Sequence, residues 1–494
     1  MANLLVTGAR IVPLDGEVAG DAVDIRITDG VIAEVGPSLQ PMGEDILDAD
    51  GQWVIPGLWD KHVHFTQWTR ALTWVDVSHT NGPDEVLAIM AQALRDREAD
   101  GALIGFGYRS AAWPRPASTA ELDAISGERP VAIVSGDAHN GWLNSRAQQL
   151  LGLDHHDGAL AEGPWFEVFA RLHELPGAEP NDLDLARALT GAASKGIVGI
   201  VDLEFNDTFR EWPARIKRGL TPLRVRAGVY EHQLAEVINA GLHTGDPLHP
   251  SGLVTMGPLK VISDGSLSTR TAWCCHPYAD LDPARTDAHG APNHTVGELI
   301  ALMQQATDNG LEVAIHAIGD RANQAALDAF AATGAVGSIE HAQLLREEDV
   351  ERFAGLGVAA SVQPPHLLDD RDLAEELWAG HCHRCYLFRS LLNSGATLAF
   401  GSDAPVSPID PWLAIAAAVH RSHDERDGWY PGESLSPAEA IACSVDGVRL
   451  GVGAPGDVVV LGADPLWEGT RSETRMNLRE MPVLATVCAG QLTH

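Results

Sequence analysis

Eight short apolar segments, separated in several places by helical patterns, restrict the fold of this chain more than any other feature. They read "WVIPGLWDKHVHF", "GIVGIVDLE", "LRVRAGVY", "GPLKVISDG", "LEVAIHAIG", "GSIEHAQ", "GVAASVQP" and "ATLAFGSDAP". Near-continuous apolar runs, as opposed to strict alternation, are what parallel strands covered on both faces require. The stretches "DLARALTGAASKG", "GELIALMQQATDNG" and "RANQAALDAFAATG" carry a helical period and fall between them. Eight βα units predict an α/β chain built on a (β/α)8 TIM barrel, here residues 57–451.

Two regions lie outside that repeat. Residues 1–56 read as short strands with Gly-marked turns, "LLVTGARIV", "DAVDIRITDG" and "VIAEVG" among them, and residues 452–494 do the same. Both ends together are expected to form one discontinuous β-sandwich domain. The connection from the first barrel strand to the second, about residues 66–195, is too long for a structureless loop. It carries its own strand-like runs, "ALIGFGY" and "RPVAIVSGD", and reads as an inserted subdomain placed over the barrel mouth.

Charge narrows the partners. The chain has 34 basic and 68 acidic residues, a net charge of −34, which repels nucleic acid and anionic membrane alike. No apolar run reaches the roughly 18 residues of a membrane span, and the N-terminus lacks a basic region followed by an apolar one. Six cysteines in 494 residues are too few for a disulfide framework. A cytoplasmic enzyme acting on a small-molecule substrate, with no nucleic acid and no membrane as partner, is the expectation.

Active-site groups of a TIM barrel sit at the C-terminal ends of its strands. There the first segment has His62-Val63-His64, the fourth Lys260, the fifth His316, the sixth His341 and the eighth Asp403. Residues i and i+2 of a strand share a face, so His62 and His64 stand side by side. Taken singly each has a structural reading; Asp403 in "GSDAP", for instance, suits a turn cap before Pro405. Taken together, imidazoles and a carboxylate at one rim suit Zn²⁺ or a related transition metal. Of the four lysines, only Lys260 lies inside an apolar strand. Burial drives its amine toward the neutral form, unless a carboxylate elsewhere in the chain pairs with it.

"PGLWDKHVHF", "LKVISDGSLSTRTAW", "HAIGDRANQAALDAF", "IEHAQLL", "SVQPPH", "GSDAPVSPIDP" and "SGDAHNGWLNSRA" resemble the amidohydrolase superfamily. More narrowly they are similar to its amidohydrolase-3 group, which includes YtcJ-like proteins and N-substituted formamide deformylases. The resemblance covers essentially the whole chain. It implies two divalent metals, zinc or else manganese, iron, nickel or cobalt. His62, His64 and Asp403 would hold one and His316 and His341 the other, with Lys260 bridging them as a CO₂-derived carbamate. It further implies a metal-bound hydroxide as nucleophile and Asp403 as catalytic base and then acid. Arg270, His139, Gln363 and His366 are candidate substrate-binding residues, and a homodimer is the assembly the family suggests.

The activity expected is hydrolysis of a non-peptide C–N bond in a small amide, N-substituted formamide or cyclic amide. The same metal site also suits ester hydrolysis, deamination or isomerisation, and a catalytically inactive scaffold is the alternative from another class. Fold and metal site alone do not choose among these.

Overall fold

A computed structural model describes residues 3–16, 19–96, 101–108, 113–136, 140–220 and 223–494. The chain divides into two compact units, one of residues 1–65 and 189–494 and the other of residues 66–188.

The first unit contains a nearly closed eight-stranded parallel barrel. In chain order its strands are Leu58–Val63, Ile197–Asp202, Arg224–Tyr230, Val254–Ile262, Val313–Ala317, Gly337–His341, Ala359–Val362 and Leu398–Phe400. All eight apolar segments of the sequence therefore become barrel strands. The second strand is buried at every residue, as an element covered on both faces must be. Register aligns the strand ends: Tyr230 pairs with Lys260, Ile262 with His316, His316 with Glu340 and Ala317 with His341.

The first and eighth strands meet through a parallel bridge between Val63 and Ala404, with the Asp403 amide donating to the His62 carbonyl at 2.7 Å. Gly401 is what lets them approach. A Cβ there would lie 2.7 Å from the His62 amide nitrogen and 2.8 Å from its Cβ. Gly57, entering the first strand, is fixed the same way, since a Cβ would meet the Val198 side chain at 2.3 Å.

Both chain ends contribute to one eight-stranded mixed sheet in the same unit. Its order is Gln491–Leu492, Val483–Cys488, Val458–Leu461, Trp53–Pro56, Leu4–Ile11, Val23–Thr28 and Val31–Gly36, with Asp45–Asp48 beside Leu4–Ile11. Val6, Ile25, Ile27 and Val54 pack with Val458, Val460 and Val487 in one core that joins the two termini. Alternation along Val23–Thr28 and its neighbours supplies those inward residues.

The second unit has a five-stranded sheet, ordered Ala159–Ala161, Asn140–Leu143, Val131–Ser135, Leu103–Tyr108 and Val75–Asp76. Two apolar clusters flank it, one centred on Trp165 and Leu172, the other on Trp142, Met90 and Val86. No helix among the described residues is long and apolar enough to cross a membrane. All six cysteines are free.

Candidate metal centre

His62 lies at the centre of the barrel mouth. Its Nε2 is 3.2 Å from Lys260 Nζ and 3.5 Å from Asp403 Oδ1, and its Nδ1 is 2.8 Å from Glu340 Oε2. His64 Nε2 reaches the same Asp403 Oδ1 at 3.2 Å. The His341 ring stands 5.1 Å from that of His62 and 4.4 Å from that of His316. His62, His341 and Asp403 each offer a ligand atom, all within 4.8 Å of one another. Seven residues drawn from five strands thus meet at one rim.

Local backbone makes the convergence. His341 and Asp403 both adopt left-handed φ, 73° and 57°. Such conformations cost roughly 1–3 kcal/mol per residue and persist where surrounding structure holds them. At His341 the turn breaks the strand's alternation. Glu340 and His341, which ought to face opposite ways, both approach His62.

Burial decides the charge states. It pushes His316 down to about 3 and His341 well below the ordinary imidazole value, and it lowers His62, with the Lys260 charge acting in the same sense on all three. Neutral imidazole is the form that binds metal. Burial likewise lowers Lys260, against the opposing pull of Glu340 and Asp403. For Asp403 burial works upward, but His62, His64 and His341 hold the carboxyl well below its usual range.

The donor set fits a metal ion on its own evidence. His64 Nδ1, His341 Nδ1, Gln363 Oε1 and His366 Nε2 are buried without a hydrogen-bond partner, although buried polar atoms are normally paired. Imidazole nitrogens with unused capacity, beside the Asp403 carboxylate, are what transition metals of the zinc type take up.

The other candidates divide. Gln363 is buried, with Nε2 3.3 Å from His62 Nδ1, and the His366 ring stacks on His341 at 6.0 Å. Arg270 is not brought into the cluster; its Nε donates to Asp280 at 2.7 Å. His139 lies outside the described residues. Two carboxylates escape sequence reasoning. Glu340 is hidden by the alternation rule, although a charge inside "GSIEHAQ" is the same signal that marks Lys260. Asp264, which reads as a loop cap, is fully buried. It accepts from the amides of Trp273, Ile318 and Gly319 at 2.9–3.0 Å, and burial raises it to about 7. It ties the loop after the fourth strand to the end of the fifth and lies 3.5 Å from His316.

A parallel barrel with histidines, a lysine and carboxylates at its C-terminal rim defines the class of metal-dependent hydrolases. The chain belongs to the amidohydrolase family, hydrolases of carbon–nitrogen bonds, whose family model matches residues 45–494. It is 27% identical to YtcJ of Bacillus subtilis over 96% of each chain. It is 24% identical to the N-substituted formamide deformylase of Arthrobacter pascens, over 100% of this chain and 98% of that one. The crystal structure of an uncharacterized metal-dependent hydrolase from Pyrococcus horikoshii superposes with a TM-score of 0.80 at 26% identity. That match covers 94% of this chain and 99% of the other.

Proposed function

We propose that this protein hydrolyses a non-peptide C–N bond in a small amide, N-substituted formamide or cyclic amide. In this reading His62, His64, His316, His341, Asp403 and Lys260 are the metal ligands. Lys260 serves as a carbamate, for which its buried amine, lowered from the ammonium range, is the suitable precursor. Bound divalent metal would polarise the substrate carbonyl and lower the pKa of the attacking water.

The remaining chemistry belongs to the chain. Asp403 Oδ1 faces His62 and His64, and Oδ2 lies 3.9 Å from His366 Nε2. Asp403 takes the proton of water as its oxygen adds to the carbonyl carbon, and returns it to the nitrogen as the C–N bond breaks. Glu340 holds His62 with Nε2 turned toward Lys260 and Asp403. Gln363 and His366 carry unpaired polar atoms suited to substrate hydrogen bonds. The sheet joining both termini is read as the β-sandwich domain, residues 1–56 and 452–494, and about residues 66–195 as the inserted subdomain of the catalytic barrel.

The observation that carries the reading is the meeting of His62, His341 and Asp403 within 4.8 Å, with the Lys260 amine 3.2 Å from His62. The test is a panel of N-alkyl formamides, cyclic amides, esters and amino-heterocycles, assayed for amine, ammonia and acid on metal-replete protein. Amine and acid released in equal amounts from an amide are expected. Turnover confined to esters or amino-heterocycles would remove the amide assignment, and protein purified with under about half an equivalent of metal that stays inactive on metal addition would favour a scaffold.

A further inference from the structure

The chain leaves the sixth strand through two consecutive left-handed residues, His341 and Ala342, at φ 73° and 43°. Neither is glycine, so the surrounding structure must hold the turn. Main-chain bonds supply part of that hold. The Tyr386 amide donates to the Gln343 carbonyl at 2.8 Å, the Leu345 amide donates to the Arg384 carbonyl at 3.1 Å, and Leu344 and Cys385 form an antiparallel bridge. Tyr386 is itself left-handed, at 54°, and the fully buried Arg421 donates to its carbonyl at 3.0 Å.

Side chains close the rest on a single atom. Gln343 Nε2 and the Tyr386 hydroxyl both donate to Asp370 Oδ2, at 2.8 and 2.7 Å. Gln343 and Tyr386 are buried, so each donor would be stranded without that oxygen. Asp370 stands on the helix His366–Leu377, four residues after His366 and so on the same face. The His366 ring stacks on His341 with centroids 6.0 Å apart and planes at 17°, and its Nε2 lies 3.9 Å from Asp403 Oδ2. One carboxylate oxygen thus ties the helix that carries His366 to the turn that carries His341. The chemistry above makes no use of it.

We propose that Asp370 is a positioning residue, which sets the His341 imidazole in the metal cluster by holding Gln343 and Tyr386 across the turn. The inference rests on the reading of His341 as a metal ligand. Groups that orient a ligand belong to a metal site as much as the ligand does, and their loss typically lowers metal affinity about 10–100-fold. Two neutral donors meet one oxygen, so the requirement is for an acceptor and not for a charge. Asparagine at this position offers the same acceptor; alanine offers none.

The test is Co²⁺ titration of chelator-treated protein, followed by visible absorption and by competition with a chelator. Wild type, Asp370→Ala, Asp370→Asn, Gln343→Met and the double variant of Gln343→Met with Asp370→Ala are compared. His341→Ala marks the metal held through His341. Asp370→Ala is expected to weaken that metal about tenfold or more and to alter its spectrum, while Asp370→Asn stays within about threefold of wild type. The double variant should bind no more weakly than Asp370→Ala alone, because residues that act through one path do not add. Should Asp370→Ala not fold, Tyr386→Phe, which removes one hydroxyl, carries the test: a several-fold loss is expected, and none would overturn the proposal.

An unchanged spectrum and wild-type affinity in Asp370→Ala, while His341→Ala loses metal, would overturn the positioning role and leave the metal reading standing. Equal losses in Asp370→Ala and Asp370→Asn, or losses that add in the double variant, would overturn it too, since the accepted bonds would then not be the cause. Wild-type binding that His341→Ala leaves unaltered would overturn the metal-ligand reading and this inference with it.

Discussion

Two sets of buried polar side chains in this molecule follow opposite rules. In the five-stranded unit Asn144 is fully buried and uses everything it has. Its Oδ1 accepts from the amides of Val131 and Ala147 at 2.9 Å, and its Nδ2 donates to Ser126 Oγ and the Arg129 carbonyl at 2.8 Å. Gln148 nearby closes on His156 through both ends of its amide, each at 2.8 Å. At the barrel mouth, His64, His341, Gln363 and His366 each keep a buried atom without a partner. Asn144 and Gln148 close on the fold, whereas these four residues of the mouth keep capacity free for a ligand. The first kind stabilises; the second is tolerated at a cost.

The contrast is broken most directly by one substitution from each set. Asp403→Asn is expected to lower kcat/KM by about 10²–10⁴, the range for a lost acid–base group. Its effect on the melting temperature of chelator-treated protein should be smaller than that of Asn144→Ala, because the amide keeps the carboxyl's shape and the burial cost of the charge disappears together with the favourable contacts to His62, His64 and His341. Asn144→Ala is expected to do the reverse. It strands the buried amides of Val131 and Ala147, while the Ser126 hydroxyl keeps its bond to the Leu122 carbonyl, and should destabilise by about 2–6 kcal/mol, since each lost buried partner costs ~1–3 kcal/mol. Equal destabilisation by both, measured calorimetrically, would erase the distinction.

A smaller effect sharpens it. Glu340 belongs to the mouth and divides between the two rules: Oε1 accepts from Ser338 Oγ at 2.5 Å, whereas Oε2 has a close contact to His62 Nδ1 at 2.8 Å but no hydrogen-bond partner. Burial alone would raise its pKa, but His62 and Lys260 hold it below the ordinary value. Glu340→Gln keeps the shape and removes the charge that orients His62. Metal affinity, read by competition with a chelator, should fall about 10–100-fold. Unchanged affinity would mean that His62 is positioned by packing alone.

Periodicity made the barrel legible in advance: eight buried runs could be counted, and eight strands formed. The cluster was legible because strand ends share one rim, so His62, Lys260, His316, His341 and Asp403 could be placed without knowing any loop. Glu340 was not, because its position depends on the φ of 73° at His341, and nothing in "IEHA" announces that turn. The place of Arg270 was not legible either. Its motif lies beside the site in sequence, but the residue has a φ of 59° and its guanidinium is paired with Asp280.

Asp202 tests whether full hydrogen bonding is enough to make a buried group costless. It is fully buried; Oδ1 accepts from the amides of Phe65 and Glu204 at 3.1 and 3.2 Å, and Oδ2 from Trp212 Nε1 at 2.7 Å. By the count of partners it belongs with Asn144, yet burial and then the Glu204 charge raise it from 3.8 to about 6. The folded protein therefore keeps this proton to a higher pH than the unfolded chain does. Its stabilising contribution is complete below about pH 4 and is lost as pH rises through about 6. Asp202→Asn cannot lose that proton. Between pH 5 and 7.5 the wild type should lose roughly 1–3 °C of melting temperature relative to the variant, a small shift because the chain is large. A gap that stays constant, or moves in favour of the wild type toward neutral pH, would mean that three donors fully compensate a buried carboxylate, and that counting partners alone sorts the two sets.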